Sequence, residues 1–373
     1  MTGRAWRLPA VVTLDDLGPL EKTISDGAGQ STGIHPVTEH PGWLAKLYRT
    51  RGGPEDANRL DGLIALPGTV TSEVARTLRT STSWPVARIA EQESQALGCV
   101  LPAAPDKYRW DGAGASARFR EVDWLAKPDD AFARRNYRVP SRSDRLRVCR
   151  NLVVVAEVLE RHKLVYSDWS YSNAFWCDTD ASVFVIDIDG CGPGAVPNIF
   201  QPNWDDPLTQ RPNKADAYTD RYRVALLVTR CLTGQRDLAS ALNVLAESDG
   251  LGNRGLREIL LDILLSEQRE RRPSMAALAT VIAGGLYVRL GPRPARSAIP
   301  ARPAPSFPKT GAGSATRAGQ NVKWPEPAAE PAPPTPSTSG GGQGDPGRKA
   351  AAVIICLLAL LIGVLMVALI ASH

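Results

Sequence analysis

Apolar positions along this chain fall into distinct regimes. Up to about residue 100 they form short, strand-like runs: Gly42–Tyr48, Trp84–Ala90 and Leu97–Leu101. From about residue 142 the spacing turns helical, with Leu146, Leu152, Val153, Ala156 and Leu159 recurring ahead of the basic cluster Arg161–Lys163. Two strand-like runs follow, Ala174–Cys177 and Val183–Asp187, joined by the turn-rich Asp178-Thr179-Asp180. Helical patterns return at Asp220–Leu232 and at 255–265. A β-rich half, a hairpin and a mainly helical half predict an α+β, two-lobed arrangement.

Beyond residue 290 the pattern changes twice. Residues 291–349 hold thirteen Pro and nine Gly in 59 positions, too little apolar surface to offset the entropy of ordering. They read as a disordered linker, stiffened where PPII-like runs such as PAPPTP occur, with ends about 40–45 Å apart as a flexible coil. The PxxP spacings at Pro300–Pro303 and Pro305–Pro308 are what so Pro-rich a stretch produces by chance. Ala350 to Ala371 is then 22 residues without a charge. A helix of that length is about 33 Å long, enough to cross a hydrocarbon core of about 30 Å. Arg348 and Lys349 flank its N-terminal side, and Ser372 and His373 follow it. The expectation is a single membrane span that leaves the N-terminal domain in the cytoplasm. The start, MTGRAWRLPAVVTL, lacks the apolar run of a signal peptide.

Charge sharpens this division. Of 373 residues, 44 are basic and 39 acidic, a net charge of +5. Residues 291–349 carry eight Lys/Arg and three Asp/Glu, so 44 − 8 = 36 and 39 − 3 = 36 balance in residues 1–290. The excess belongs to the linker, where it can rest against an anionic membrane surface, and nucleic-acid binding loses its main support. Six cysteines and four histidines show no CxxC or metal-ligand spacing, which argues for free thiols and against structural zinc.

The chemistry concentrates in Leu164–Cys191, LVYSDWSYSNAFWCDTDASVFVIDIDGC. Asp168 and Asn173 stand five apart in a polar loop after a helix, and Asp187 closes a β-branched and aromatic strand fourteen residues beyond Asn173. An amide oxygen and a carboxylate brought together by a hairpin suit Mg²⁺, which binds through few protein oxygens plus substrate phosphates. Asp168 is then available to orient a hydroxyl and accept its proton.

In these residues the chain resembles the protein kinase-like superfamily, in particular bacterial eukaryotic-like Ser/Thr protein kinases. Tyr166-Ser167-Asp168 takes the HRD place, with Asn173 at the required spacing and Asp187-Ile188-Asp189 in the DFG place. WLAKLY offers Lys46 as the strand lysine, and CVLPAAP around Leu101 resembles the hinge that bonds adenine through its backbone. TDRYRVALLVTRCLTG resembles the helix whose leading aspartate, Asp220, braces the catalytic loop. RERRPSMAAL resembles the late Arg-Pro element, with Arg272 and Pro273. The glycines Gly27, Gly29 and Gly33 in SDGAGQSTGI are one residue wider than GxGxxG; they suit a loop over phosphates or an ordinary surface turn. A partner for Lys46 on the following helix is open, with Asp61 at a plausible separation.

The resemblance spans roughly residues 15–285 and implies an N-lobe over 1–100 and a C-lobe over 101–290, ahead of the linker over 291–349 and the span over 350–371 that composition and hydropathy set apart. It implies ATP and Mg²⁺ as cofactors, with Lys46, Gly27, Gly29, Gly33 and Leu101 on the nucleotide and Asn173, Asp187 and Asp189 on the metal. Asp168 is the implied base, transferring the γ-phosphoryl to protein Ser/Thr hydroxyls at the membrane face.

Several departures bear on that expectation. Ser167 replaces the arginine that receives an activating phosphate, and Asp187 to Asp206 contains no Ser, Thr or Tyr, so control by phosphorylation there is not expected. Ser170 replaces a lysine near the transferring phosphoryl, removing a cation. Asp189 replaces the DFG glycine, adding a carboxylate that can bind a second ion or cap the loop. No APE follows, and Asp205 or Asp206 in NWDDP is expected to pair with Arg272 in its place. These losses keep open the alternative of a pseudokinase, a membrane-tethered nucleotide-binding scaffold. A small-molecule kinase of the aminoglycoside-phosphotransferase type shares the Asp-x4-Asn loop but explains the linker and the Arg-Pro element less well.

Overall fold

The computed structural model describes residues 6–24, 31–110, 118–198, 203–209, 213–247 and 254–289. Gly27, Gly29, the linker and the apolar segment 350–371 lie outside the described residues. Among the described residues, no helix is long and apolar enough to cross a membrane.

The first part of the chain runs β1 (Val11–Val12), α1 (Leu14–Leu17), β2 (Ser31–Pro36), β3 (Trp43–Gly52), α2 (Pro54–Thr69), α3 (Ser72–Ser81), β4 (Ala87–Ile89) and β5 (Ala96–Pro102). The strands form one sheet in the order β1-β4-β5-β3-β2, parallel between β1 and β4 and antiparallel elsewhere. β3 and β5 pair so that Lys46 stands opposite Cys99 and Leu44 opposite Leu101. The crossing is tight: a Cβ on Gly98 would lie 2.1 Å from the Lys46 carbonyl oxygen. Glycine at 98 therefore lets β5 approach the backbone that carries Lys46.

Residues 54–69 and 72–81 of this β-rich half are helical, where the apolar pattern alone marks only strand-like runs. Gly53 precedes α2, Pro54 occupies its first turn and Glu55 and Asp56 meet the positive end of its dipole, which are ordinary helix-start features. The glycines and prolines of RGGPEDANRLDGLIALPG hide them in a scan for periodicity. Tertiary packing completes the helix: Leu60 is fully buried in a cluster with Ala96, Cys99 and Leu101 of β5. In α3 the Thr71 side chain accepts the Val74 N–H, and Val74, Ala75 and Leu78 are buried.

The second part contains α4 (Asp129–Ala133), α5 (Arg142–Arg161), β6 (Leu164–Val165), β7 (Ala174–Trp176), β8 (Val183–Val185), β9 (Gly192–Pro193), β10 (Val196–Pro197), β11 (Lys214–Ala215), α6 (Ala217–Thr233), α7 (Leu238–Glu247), α8 (Arg254–Leu264) and α9 (Met275–Ile282). Ser141 and Asp144 cap α5 reciprocally, each side chain accepting the other's backbone N–H. Every residue of α6 from Tyr222 to Leu232 is buried, the signature of a helix surrounded by others. Each fully buried Leu or Val there contributes about 1.5–3 kcal/mol relative to exposure. The expected hairpin forms between β7 and β8, with Phe175 opposite Phe184. A sheet-bearing first part and a helical second part fit the two-lobed expectation.

Candidate active site

The loop between β6 and β7 is held from three sides. Asp220 in the first turn of α6 accepts the N–H groups of Tyr166 (2.7 Å) and Ser167 (2.9 Å) through its two carboxylate oxygens. Ser167 is thereby held at a φ of +66°, a left-handed conformation that a non-glycine residue keeps only when its surroundings impose it. Burial pushes the Asp220 carboxyl up to about 6, against the pull of those two bonds. From the other side, the Tyr166 hydroxyl donates to the Ile186 carbonyl oxygen at 2.6 Å, and the Ile186 N–H donates to the Asn173 carbonyl oxygen at 2.9 Å. Those bonds tie this loop to the strand end that delivers Asp187. Finally, the Asn173 side-chain amide donates to the Asp168 carbonyl oxygen at 3.0 Å, closing the loop on itself.

Asp168, Asn173, Asp187 and Lys46 are thus gathered by elements far apart in sequence. Burial, then the neighbouring Asp187 charge, pushes the Asp168 carboxyl up to about 7. A carboxyl poised there is suited to accepting a proton near neutral pH. Asp187 follows β8 at a φ of +58°, a conformation aspartate tolerates better than most residues. Its carboxylate lies 3.2 Å from Lys46 Nζ. Lys46 also meets Asp189, at 2.8 Å, and the Asp189 side chain is only 4% exposed against 29% for Asp187. Burial works to lower the Lys46 pKa, but the charges of Asp187 and Asp189 outweigh it and hold it above the usual lysine value.

The donor set can be tested against the implied metal. Asp187 offers a partly exposed carboxylate and Asn173 an amide, while no cluster of three His, Cys, Asp or Glu able to hold a metal exists among the described residues. Hard oxygens in small number fit Mg²⁺ carried on substrate phosphates and do not fit zinc or another thiophilic ion.

Other expected site residues stand differently. Leu101 lies within β5 rather than in a loop, its side chain packed with Leu60 and Cys99. The Ala103 N–H is taken by the Gly42 carbonyl oxygen at 2.9 Å, and Pro102 before it has no N–H to offer. Gly33 lies in β2, opposite Leu47, and a Cβ there would meet His35 Nε2 at 2.7 Å and Thr23 Oγ1 at 3.0 Å. Its place is inside a strand, not at the tip of a loop. Gly27 and Gly29 lie outside the described residues. Asp189, expected on a metal, has one oxygen on Lys46 and the other on the Tyr48 hydroxyl at 3.0 Å. Asp61 does not reach Lys46; it receives Nε and Nη2 of Arg88 at 2.8 and 3.0 Å.

Three residues of the site were not anticipated. Tyr48 is two positions beyond Lys46 and so shares its face of β3, a signal available in the alternation itself. Arg59 of α2 donates to the carbonyl oxygens of Asp189 and Cys191. Arg223, one turn after Asp220 in α6, is 1% exposed and donates to the carbonyl oxygens of Ser167 and Trp204 and to the Asn198 side chain. A cation inside an otherwise apolar helical run, as in YRVALLV, was the available clue to the last.

No family model matches the chain, and no curated protein matches it. Among solved structures, it is similar to the ROP18 kinase domain in complex with AMP-PNP and sucrose. That match has 11% identity and a TM-score of 0.45, and it covers 68% of this chain and 75% of that one. A likeness that distant says nothing about chemistry, which rests on the geometry above.

Proposed function

We propose that this chain is a protein kinase-like phosphotransferase that moves the γ-phosphoryl of Mg·ATP to protein Ser or Thr hydroxyls. The observation that carries this reading is the convergence of Asp168, Asn173, Asp187 and Lys46 on a loop braced by Asp220. In it, Asp187 and the Asn173 amide oxygen would hold the cation, and Lys46 would hold phosphate oxygens. Asp168 orients the acceptor hydroxyl and takes its proton as the oxygen bonds the γ-phosphorus and the bond to the β–γ bridging oxygen breaks, releasing ADP. Mg²⁺ bound there would neutralise the charge that develops on the phosphates. Most of the rate then comes from positioning and electrostatic stabilisation, which is what a loop pinned at both ends provides.

The test is phosphate transfer from Mg·ATP by the full chain, compared with Asp168→Ala and Asp187→Ala. Incorporation lost in both variants supports the enzyme. A second reading, the nucleotide-binding scaffold, is favoured by Ser170, which leaves no lysine two residues beyond Asp168. Nucleotide binding by the wild type without any transfer would select it.

The proposed address is the cytoplasmic face of a membrane, through the span at 350–371 and the basic linker before it. Deleting 350–373 should move the protein from the membrane fraction to the soluble one. Retention on membranes after the deletion would sink this assignment.

A further inference from the structure

Lys46 is paired in an unusual way. The acids of α2 are Glu55, Asp56 and Asp61. Asp61 is taken by Arg88, Asp56 lies 3.5 Å from Arg59, and Glu55 is exposed. The helix next to the lysine thus brings it no carboxylate and instead brings a cation, Arg59, to the backbone of the 187–191 loop. Both acids on Lys46 come from that loop, and their settings differ. Asp187 is partly exposed and touches the ammonium with one oxygen at 3.2 Å. Asp189 is buried, sits closer at 2.8 Å, and has its second oxygen fixed by the Tyr48 hydroxyl at 3.0 Å.

We propose that Asp189 is a positioning residue: the permanent counter-ion of Lys46, which frees Asp187 to leave the ammonium for a divalent cation. This rests on the nucleotide-binding reading of Lys46 and Asp187. The physical need is clear from burial. If Asp187 turns to a cation and nothing replaces it, an ammonium with a side chain 11% exposed is left without a counter-charge, an arrangement that is strongly destabilising. Asp189 removes that problem without any movement of α2. Tyr48 and Arg59 fix its side chain and its carbonyl respectively, so Lys46 keeps one orientation whether or not Asp187 is engaged. With both oxygens of Asp189 already bonded inside the protein, the carboxylate is not a metal ligand.

Two measurements on the full chain decide this. The first needs no nucleotide: thermal unfolding of Asp189→Asn, Lys46→Met and the double variant. Asp189→Asn should lower Tm by at least about 3 °C in the wild type and by much less in the Lys46→Met background. Additive shifts would mean that the pair does not exist as described. The second is a Mg²⁺ titration of fluorescent ATP-analogue binding. Asp189→Asn should weaken the nucleotide about tenfold with the Mg²⁺ midpoint unchanged, while Asp187→Asn should raise that midpoint about tenfold. If Asp189→Asn raises the Mg²⁺ midpoint as Asp187→Asn does, Asp189 is a metal ligand and the proposal is wrong. Tyr48→Phe, which removes only the fixing bond, should shift affinity in the same direction by a smaller factor; it decides the matter should Asp189→Asn not fold, and no shift counts against the proposal. A wild type that binds no nucleotide overturns the functional reading and with it this role. The unfolding cycle then separates the two failures, since coupling between 46 and 189 would leave the ion pair intact and only its ligand wrong.

Discussion

Arg272 and Asp206 form a two-bonded ion pair with both side chains fully buried, Nη1 to Oδ2 at 2.7 Å and Nη2 to Oδ1 at 2.6 Å. The pair ties the segment after β10 to the turn before α9, 66 residues away. Its geometry is the forked match that guanidinium and carboxylate make best. Of the two acids expected to pair with Arg272, Asp206 is the one, and Asp205 lies near Arg223 instead. Removing one partner leaves a buried charge unpaired, so Asp206→Asn or Arg272→Met should each cost about 3–5 kcal/mol in urea unfolding. The double replacement Asp206→Leu with Arg272→Met should recover much of that loss. Equal destabilisation by single and double variants would show that the pair is not the source.

Arg223 predicts how this segment is controlled. Its guanidinium links the Ser167 carbonyl oxygen to Asn198 and Trp204, so the connection is permanent and needs no phosphate. Treatment with phosphatase should leave phosphate transfer unchanged, whereas Arg223→Met should reduce it at least tenfold and lower stability by about 2–4 kcal/mol. Mapping an activating phosphate to a nearby residue such as Thr209 would contradict this.

Gly98 makes a steric prediction. With 2.1 Å between its would-be Cβ and the Lys46 carbonyl oxygen, Gly98→Ala must push β5 away from β3. A loss of about 1–3 kcal/mol is expected, together with weaker nucleotide binding because the Lys46 backbone shifts. Unchanged stability in thermal or urea unfolding would refute the close approach.

Glu121 gives a pH dependence. Burial, then the charge of Asp123, pushes its carboxyl up to about 7, above the ordinary value of about 4.3. The folded state therefore holds more protons than the unfolded state between those values, and this group's contribution to stability falls as pH rises through that window. Glu121→Gln removes the titration. The variant should gain on the wild type between pH 5 and pH 8, by roughly 1–3 kcal/mol at the upper end. A stability gap that stays flat with pH would disprove the assignment.

Local sequence determined much of this protein. The 3.6-residue pattern of α5 and α6, the short apolar runs of β7 and β8, and the polar loop from Asp168 to Asn173 are written in neighbouring residues, because period and turn chemistry act over a few positions. Asp220 and Arg272 could be marked from their motifs for the same reason. What tertiary structure decided is which charge meets which. Lys46 lies 141 and 143 residues from its two carboxylates, and no local spacing says whether Asp61 or Asp189 will arrive. The register of β3 on β5 and the seating of α2 against Leu101 turn Asp61 toward Arg88 and Arg59 toward the loop. Helices α2 and α3 leave little mark in the apolar pattern because weak local propensity is completed by burial against the sheet. Ion pairing over such separations is settled by side-chain packing and desolvation, which exist only once the chain has folded.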